Sequence, residues 1–241
     1  MRVIGRKPVL ELLQSGAPVQ RVQIALGTQG RVIGEIIAEA KKRKVRIDRV
    51  PPEVAKKSFG GGNHQGVVAE AAPMPLRDLK DLGKAVPVHH GLLIALDEVT
   101  DPHHVGSVAR SALAAGCDAL ILPARRSAPL SDTVVKTSAG TITRLPVIQV
   151  GNLSDALIQL QKNGWWIHGA TGEQGDELWD HGWDDRTVIV IGSEGRGLSQ
   201  RARKVCDSFV QVPLTNNVES LSVSAAAAVI LFDIARKRRE S

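Results

Sequence analysis

The chain contains no tyrosine, only three phenylalanines and four tryptophans in 241 residues. A core of any size must therefore be built from Val, Ile, Leu and Ala. There are two cysteines, Cys117 and Cys206, at neither metal-type nor redox-type spacing, which points to a reducing cytoplasm. No apolar run approaches the ~18 residues of a membrane-spanning helix, and the start carries no signal-peptide pattern, so a cytoplasmic protein is expected. No internal repeat is visible, and low complexity is confined to Ala225–Ala228. The histidines offer no i, i+4 pair and no carboxylate at ligand spacing, so no metal is expected.

What is present is an aliphatic, basic chain. Hydrophobic residues make up 43%, which excludes disorder as a global state. A net charge of +6 favours a polyanionic partner, nucleic acid before membrane. The length suits two domains. Residues 1–75 read as a small α/β unit, with RVQIAL, VRIDRV and GVVAEA as strands and a first helix ending in LQSG. In VIGEIIAEAKKRK, Val32, Ile36 and Ile37 share a helix face, and a basic last turn suits the helix C-terminus. FGGGNHQG (59–66) reads as a glycine-rich loop that can close on RNA, with Arg6, Lys7 and the basic stretch 41–44 as further RNA contacts. Pro73, Pro75 and Pro87 mark a linker, placed at 76–90. Residues 91–241 alternate apolar strands with helical segments: LLIALD, ALILP, RLPVIQV, WWIHGA, TVIVI and SFVQVPL. Strands apolar on both faces predict a mainly parallel sheet covered by helices on both sides.

In such sheets ligands bind beyond the carboxyl ends of the strands. Three ends stand out. The first is DEVTDPHHVGSVARSALAAG. Asp101 is placed to cap a helix, Pro102 suits its first turn, and Gly116 can end it. Val105, Val108, Ala109, Ala112 and Leu113 form its apolar stripe, and Arg110 lies off that stripe. The second is IGSEGRGLS (191–199). It lacks the Gly-Lys-Ser/Thr of a phosphate loop, and its glycine order, G-x-x-G-x-G, is not the dinucleotide fingerprint. Three crowded glycines suggest a ligand against bare backbone, and Glu194 among them disfavours a pyrophosphate. The third is VPLTNNVESLSVSAAAAVILFDIARKRR (212–239). Its polar loop carries Asn216, Asn217, Glu219 and Ser220. Ser220 and Ser222 are both candidates to cap the last helix, whose apolar face is Val223, Ala226, Ala227, Ile230, Leu231 and Ile234. The terminal RKRR reads as a solvated helix end that could touch RNA.

These three stretches, DPHHVGSVAR, GSEGRGLS and PLTNNVESLSVSAAA, stand in order over about 130 residues. Together they resemble the SpoU/TrmH family of RNA ribose 2′-O-methyltransferases. IGRKPVLELLQSG and HQGVVAE are similar to the substrate-binding domain of the branch that methylates a guanosine in large-subunit ribosomal RNA. The resemblance implies a catalytic domain with a deep C-terminal trefoil knot, which pattern reading would never produce. It follows a ribosomal-protein-like RNA-binding domain. S-adenosylmethionine is implied as methyl donor, and a homodimer whose active site draws on both subunits. Gly192, Val212, Leu214 and Leu221 would then line the cofactor cleft, with Thr171 and Gly172 as a further wall. Arg110 would sit at the reacting hydroxyl, as base or as stabiliser of the alkoxide. Glu194 and Ser220 match the other active-site positions, Glu194 positioning Arg110 or a neighbouring loop.

The chain departs from the family pattern at three places. His104 and Ser222 stand where the pattern has Asn, and Asn216 where it has Gly. His and Ser both donate hydrogen bonds, and Asn tolerates a left-handed turn. Two other functions stay open from the sequence: ribose methylation of tRNA, and RNA binding without catalysis on a retained fold.

Overall fold

The computed structural model describes residues 2–15, 19–59, 63–71, 76–82, 91–172, 175–216 and 218–240. Gly60–Gly62 of the glycine-rich loop, Pro73, Pro75 and Pro87 of the expected linker, and Asn217 lie outside the described residues. Two compact units account for the chain, one of Met1–Pro75 with Leu130–Arg144, the other of Leu76–Pro129 with Leu145–Ser241.

The first unit holds a four-stranded sheet of β1 (Arg2–Ile4), β2 (Val19–Ala25), β3 (Arg46–Val50) and β4 (Val67–Ala71), in the order β1-β4-β2-β3. β4 runs antiparallel to β1 and β2, and β2 parallel to β3. Helices Arg6–Gln14, Arg31–Lys42 and Pro52–Ser58 accompany it. The Arg31–Lys42 helix buries Ile33, Ile36 and Ala40. Val32 and Ile37, expected on the buried face, are only half-buried, because the stripe is rotated by one position. The stretch Leu130–Arg144, read from the sequence within the 91–241 segment, packs with this unit. Asp132 accepts from the Arg2 amide at 3.1 Å, and Gly140, at φ +84°, sits so close to the first helix that a Cβ would come within 3.1 Å of the Pro8 carbonyl oxygen.

The second unit is an eight-stranded sheet in the order β10-β12-β9-β11-β6-β7-β8-β5, every pairing parallel. Its strands are β5 (Leu76–Arg77), β6 (Leu92–Leu96), β7 (Ala119–Pro123), β8 (Val147–Val150), β9 (Trp166–Ala170), β10 (Asp176–Glu177), β11 (Thr187–Ile191) and β12 (Ser208–Gln211). β6, β7 and β11 are buried along their whole length, as the unbroken apolar runs require. β5 and β10, two residues each, escape pattern reading because so short a run has no period. In the helix Pro102–Ala115 the Asp101 carboxylate accepts from the His103 amide at 2.7 Å, and Gly116 closes the other end at φ +86°. Among the described residues no helix is long and apolar enough to cross a membrane.

The basic residues of the last helix, Val223–Glu240, do structural work. Lys237 Nζ donates to the carbonyls of Leu178, Trp179 and His181 at 3.0, 3.0 and 2.9 Å, and pairs with the buried Asp233. Arg238 donates to the carbonyls of Gly91, Asp184 and Asp185. Arg236 bridges Asp233 and Glu240. The reading of 236–239 as a solvated end or RNA contact is corrected for Lys237 and Arg238, which are spent on loops of their own unit, while Arg236 is paired within the helix. Arg43 is spent likewise in the first unit, on the Leu12 and Leu13 carbonyls at the end of the first helix.

Burial also sets a pH dependence. His168, on β9, is 2% exposed. Its Nδ1 lies 2.9 Å from His181 Nε2 and 2.8 Å from Ser208 Oγ. Desolvation, and secondarily the neighbouring His181, lowers its pKa to about 4. The unfolded imidazole, near 6.5, takes up a proton first as the pH falls. The stability contributed by neutral His168 is therefore complete above about pH 6.5 and lost by about pH 4, a change of about 3 kcal/mol. Urea unfolding should show this fall between pH 7 and pH 4.5, and His168→Gln should remove most of it.

Candidate active site

The strand order reverses at β6. From it the sheet grows one way through β7 and β8 and the other through β11, β9 and β12. The carboxyl ends of β6 and β11 lie side by side, Leu96 opposite Ile191, which is where a crevice opens in a doubly wound sheet. The Asp97 amide donates to the Ile191 carbonyl at 2.8 Å. The Asp97 carboxylate, buried, accepts from the Ser199 amide at 2.7 Å. One carboxylate at the end of β6 thus pins the far end of the turn that leaves β11.

That turn closes on itself. Ser193 and Gly197 exchange two backbone hydrogen bonds, of 3.1 and 2.9 Å. Gly195 and Gly197 take φ of +76° and +64°. A Cβ on Gly192 would lie 2.1 Å from the Gly197 carbonyl carbon. Each glycine also has a local reason, two a left-handed backbone and one the close approach of the turn's own return. Leu198 then drops into the core and Ser199 caps the short helix Gln200–Arg203, accepting from Ala202 N at 3.2 Å.

Glu194 is carried at the exposed tip. Its Oε1 lies 3.0 Å from His104 Nε2, and Asp101 Oδ2 lies 3.8 Å from the same nitrogen. The sequence suggested that Glu194 positions Arg110 or a neighbouring loop. In the structure its partner is His104, in the first turn of the Pro102–Ala115 helix. Arg110, two turns further along, is exposed and makes no hydrogen bond or ion pair with a described residue.

The remaining candidates gather at the ends of β9 and β12. The Thr171 amide donates to the Val210 carbonyl at 3.0 Å, and Thr171 Oγ1 accepts from Arg203 Nη2 at 3.2 Å. The Arg203 guanidinium lies over the Phe209 ring, 5.1 Å from its centre. Around Gly172 a Cβ would find only the Glu219 carbonyl oxygen, at 3.9 Å, so the third polar loop passes opposite an open wall. Val212 and Leu221 are half-buried and Leu214 is 37% exposed. Ser220 is exposed in that loop. Of the two capping candidates the structure selects Ser222, whose Oγ accepts from Ala225 N at 3.3 Å. Asn caps a helix as well as Ser, so at Ser222 the departure from the family pattern preserves the cap. Asn216 takes φ +57°, the left-handed conformation for which the pattern supplies Gly.

One chain thus brings together His104 with Glu194, and Thr171 and Gly172 with the loop that leads to Ser220, Leu221 and Ser222. It does not bring Arg110 to either group. Sequence reasoning missed Asp97 and Arg203. Asp97 was legible as the one acid ending an apolar strand; Arg203 had no signal, since its role depends on β9 and β12 being neighbours. The donor set suits a nucleoside cofactor that is not a polyanion: apolar walls from Val212, Leu214 and Leu221, backbone polar groups at Thr171 and Gly172, and a carboxylate able to tolerate a nearby cation. Among the described residues no group of three or more His, Cys, Asp or Glu is arranged to hold a metal.

The first unit carries a separate open groove of about 640 Å³, lined in part by Arg6, Leu26, Thr28, Gln29, His64 and Gln65. Arg6 Nε donates to the Gln65 carbonyl at 3.1 Å, which ties two lining residues of the groove together. His64 stacks edge-on against Phe59, ring centres 5.1 Å apart. Arg6 and the described end of the glycine-rich loop, both expected to touch RNA, line one surface.

Residues 91–232 match the model of the SpoU rRNA Methylase family, and residues 2–76 that of the RNA 2′-O ribose methyltransferase substrate-binding domain. A Staphylococcus haemolyticus protein named as a TrmH family tRNA/rRNA methyltransferase is 34% identical over 240 residues, 99% of this chain and 96% of the relative. Among solved structures, the SpoU methyltransferase AviRb from Streptomyces viridochromogenes, in complex with AdoMet, superposes with a TM-score of 0.83 at 24% identity, covering 100% of this chain and 91% of that one. An AdoMet-bound rRNA methyltransferase from Sinorhizobium meliloti gives 0.79 at 21% identity, covering 98% and 87%. At these identities the structural likeness concerns the fold.

Two outcomes are expected from the site as built. Gly192→Ala should destabilise the protein by about 2 kcal/mol or more, read as a lowered urea midpoint, because the added methyl meets backbone that cannot rotate away. Arg6→Ala should weaken binding to single-stranded RNA and reduce the slope of log affinity against log salt by about 0.7, the share of one phosphate.

Proposed function

The chain belongs to the SpoU family of RNA methyltransferases, and from that premise we propose that its substrate is a guanosine ribose in large-subunit ribosomal RNA. The activity itself is RNA ribose 2′-O-methylation with S-adenosylmethionine as donor. The observation that carries the ribosomal reading is the N-terminal unit with its groove at Arg6, His64 and Gln65, a second RNA-holding surface on the same chain as the catalytic sheet.

Bound S-adenosylmethionine supplies a methyl group on a positively charged sulfur. In this reading Val212, Leu214 and Leu221 offer its base apolar contact, and Thr171 and Gly172 offer backbone. The protein must then hold the ribose in line with that methyl and manage the hydroxyl proton. Arg110 is exposed and meets none of the other candidates within one chain. A homodimer in which Arg110 of the partner subunit reaches the cleft accounts for that exposure. The apolar Val218 and Phe232, 53% and 50% exposed, support a partner covering the third loop and last helix. Arg110, always protonated, would steady the alkoxide as it forms. The trefoil knot belongs to the same proposal, on the strength of the family.

Labelled methyl transfer to naked large-subunit rRNA that lacks the modification, with a tRNA pool alongside, tests the substrate. Label at one rRNA ribose is the expected result; label in tRNA alone would reassign it. Arg110→Ala should lower turnover about 10²-fold with folding intact. Mixing it with a variant disabled in the cofactor cleft should restore part of the activity if each site draws on two subunits.

A further inference from the structure

The position that most separates this chain from its family pattern is His104, and it is also the residue that touches Glu194. His104 Nε2 lies 3.0 Å from Glu194 Oε1, and since a carboxylate can only accept, that approach favours the tautomer with its hydrogen on Nε2. In a neutral ring the lone pair is then on Nδ1, for which no described residue serves as a hydrogen-bond partner. Glu194 is itself held, since its turn is closed by the Ser193–Gly197 pair and pinned through Ser199 by Asp97. Two acids approach the ring within 4 Å, Glu194 at 3.0 Å and Asp101 at 3.8 Å from Nε2. Two carboxylates beside an imidazole stabilise the protonated ring once it has taken up a proton. The amide of the family pattern could orient Glu194 but could never accept a proton. Nor could Arg110.

We propose that His104 and Glu194 form a carboxylate–imidazole pair whose free Nδ1 accepts the proton of the ribose 2′-hydroxyl. This rests on the methylation reading above and names its proton acceptor. The hydroxyl O–H bond breaks and its proton passes to the Nδ1 lone pair. The oxygen uses the freed pair to bond the methyl carbon, and the sulfur keeps the pair of the bond that breaks. The imidazolium is held by Glu194 and Asp101 until it returns the proton to water. Arg110 then has one task left, the developing charge on oxygen.

Two measurements test the pair. In the first, the ring nitrogens of His104 are followed by NMR in the folded protein without substrate. Wild type should carry its ring hydrogen on Nε2, and Glu194→Ala should abolish that preference, since the carboxylate that fixes the tautomer is gone. An unmoved tautomer overturns the pair while leaving the methylation reading intact. In the second, single-turnover methyl transfer is followed against pH. The wild-type rate should rise with pH through one ionisation, as a base that must be unprotonated requires. His104→Ala should lose about 10²-fold at pH 7.5 together with that ionisation. His104→Asn, which can still donate to Glu194 but cannot take a proton, should remain slow. Recovery of the wild-type rate and profile by His104→Asn would show that His104 only orients Glu194, and would overturn the proposal alone. A wild-type protein that methylates neither rRNA nor tRNA would overturn the methylation reading and the proposal with it.

Discussion

One buried carboxylate organises the catalytic unit. Asp97 ends β6, the strand at which the sheet changes direction, and accepts the Ser199 amide across the mouth of the crevice. Between β11 and that anchor the chain has seven residues in which to leave the sheet and return to start a helix. It does so by pairing Ser193 with Gly197 and laying the return directly on Gly192. The position of Glu194 follows from that closure, and the contact with His104 follows from the position of Glu194. An acid at the end of an apolar strand costs desolvation, and the charge-assisted hydrogen bond to a backbone amide offsets it.

The same economy governs the basic residues. A net charge of +6 invites an electrostatic reading of every cationic cluster, yet clusters of equal charge serve different ends. Lys237 and Arg238 saturate carbonyls of neighbouring loops, and Arg43 does so at the end of the first helix. Arg6 uses one nitrogen on the Gln65 carbonyl and lines an open groove. Carbonyls left over at helix and strand ends need donors, and long basic side chains reach them. What remains for RNA is the part of the charge that no loop consumes.

Much of the fold was legible. The strands within LLIALD, ALILP and TVIVI are almost wholly apolar and form the buried middle of the sheet. Asp101 and Gly116 bound their helix as their chemistry requires. The three motif stretches marked where the chemistry gathers. The limits of that legibility are equally specific. The helix stripe at Ile33, Ile36 and Ala40 was read one position off, because Val32 and Ile37 are as apolar as the residues that are buried. Asp132 and Gly140 gave no sign that their stretch packs with the first unit, since packing partners far apart in sequence leave no local pattern. The glycines of the turn were visible, but whether bare backbone faces a ligand or its own return strand has the same signature in one dimension.

By itself the sequence determined the class of sheet, the ends of the main helices, and the family through three ordered motifs, because periodicity, capping and short turns are properties of neighbouring residues. It also showed that His104 stands in place of an amide. Only the tertiary structure decided what that replacement touches. His104 and Glu194 are 90 positions apart, and they meet because parallel pairing puts β6 beside β11 and hydrogen bonds close the turn between. Register and strand order are set by the packing of the whole sheet, so a contact between two loop ends is written nowhere along the chain and exists only once the strands have been placed.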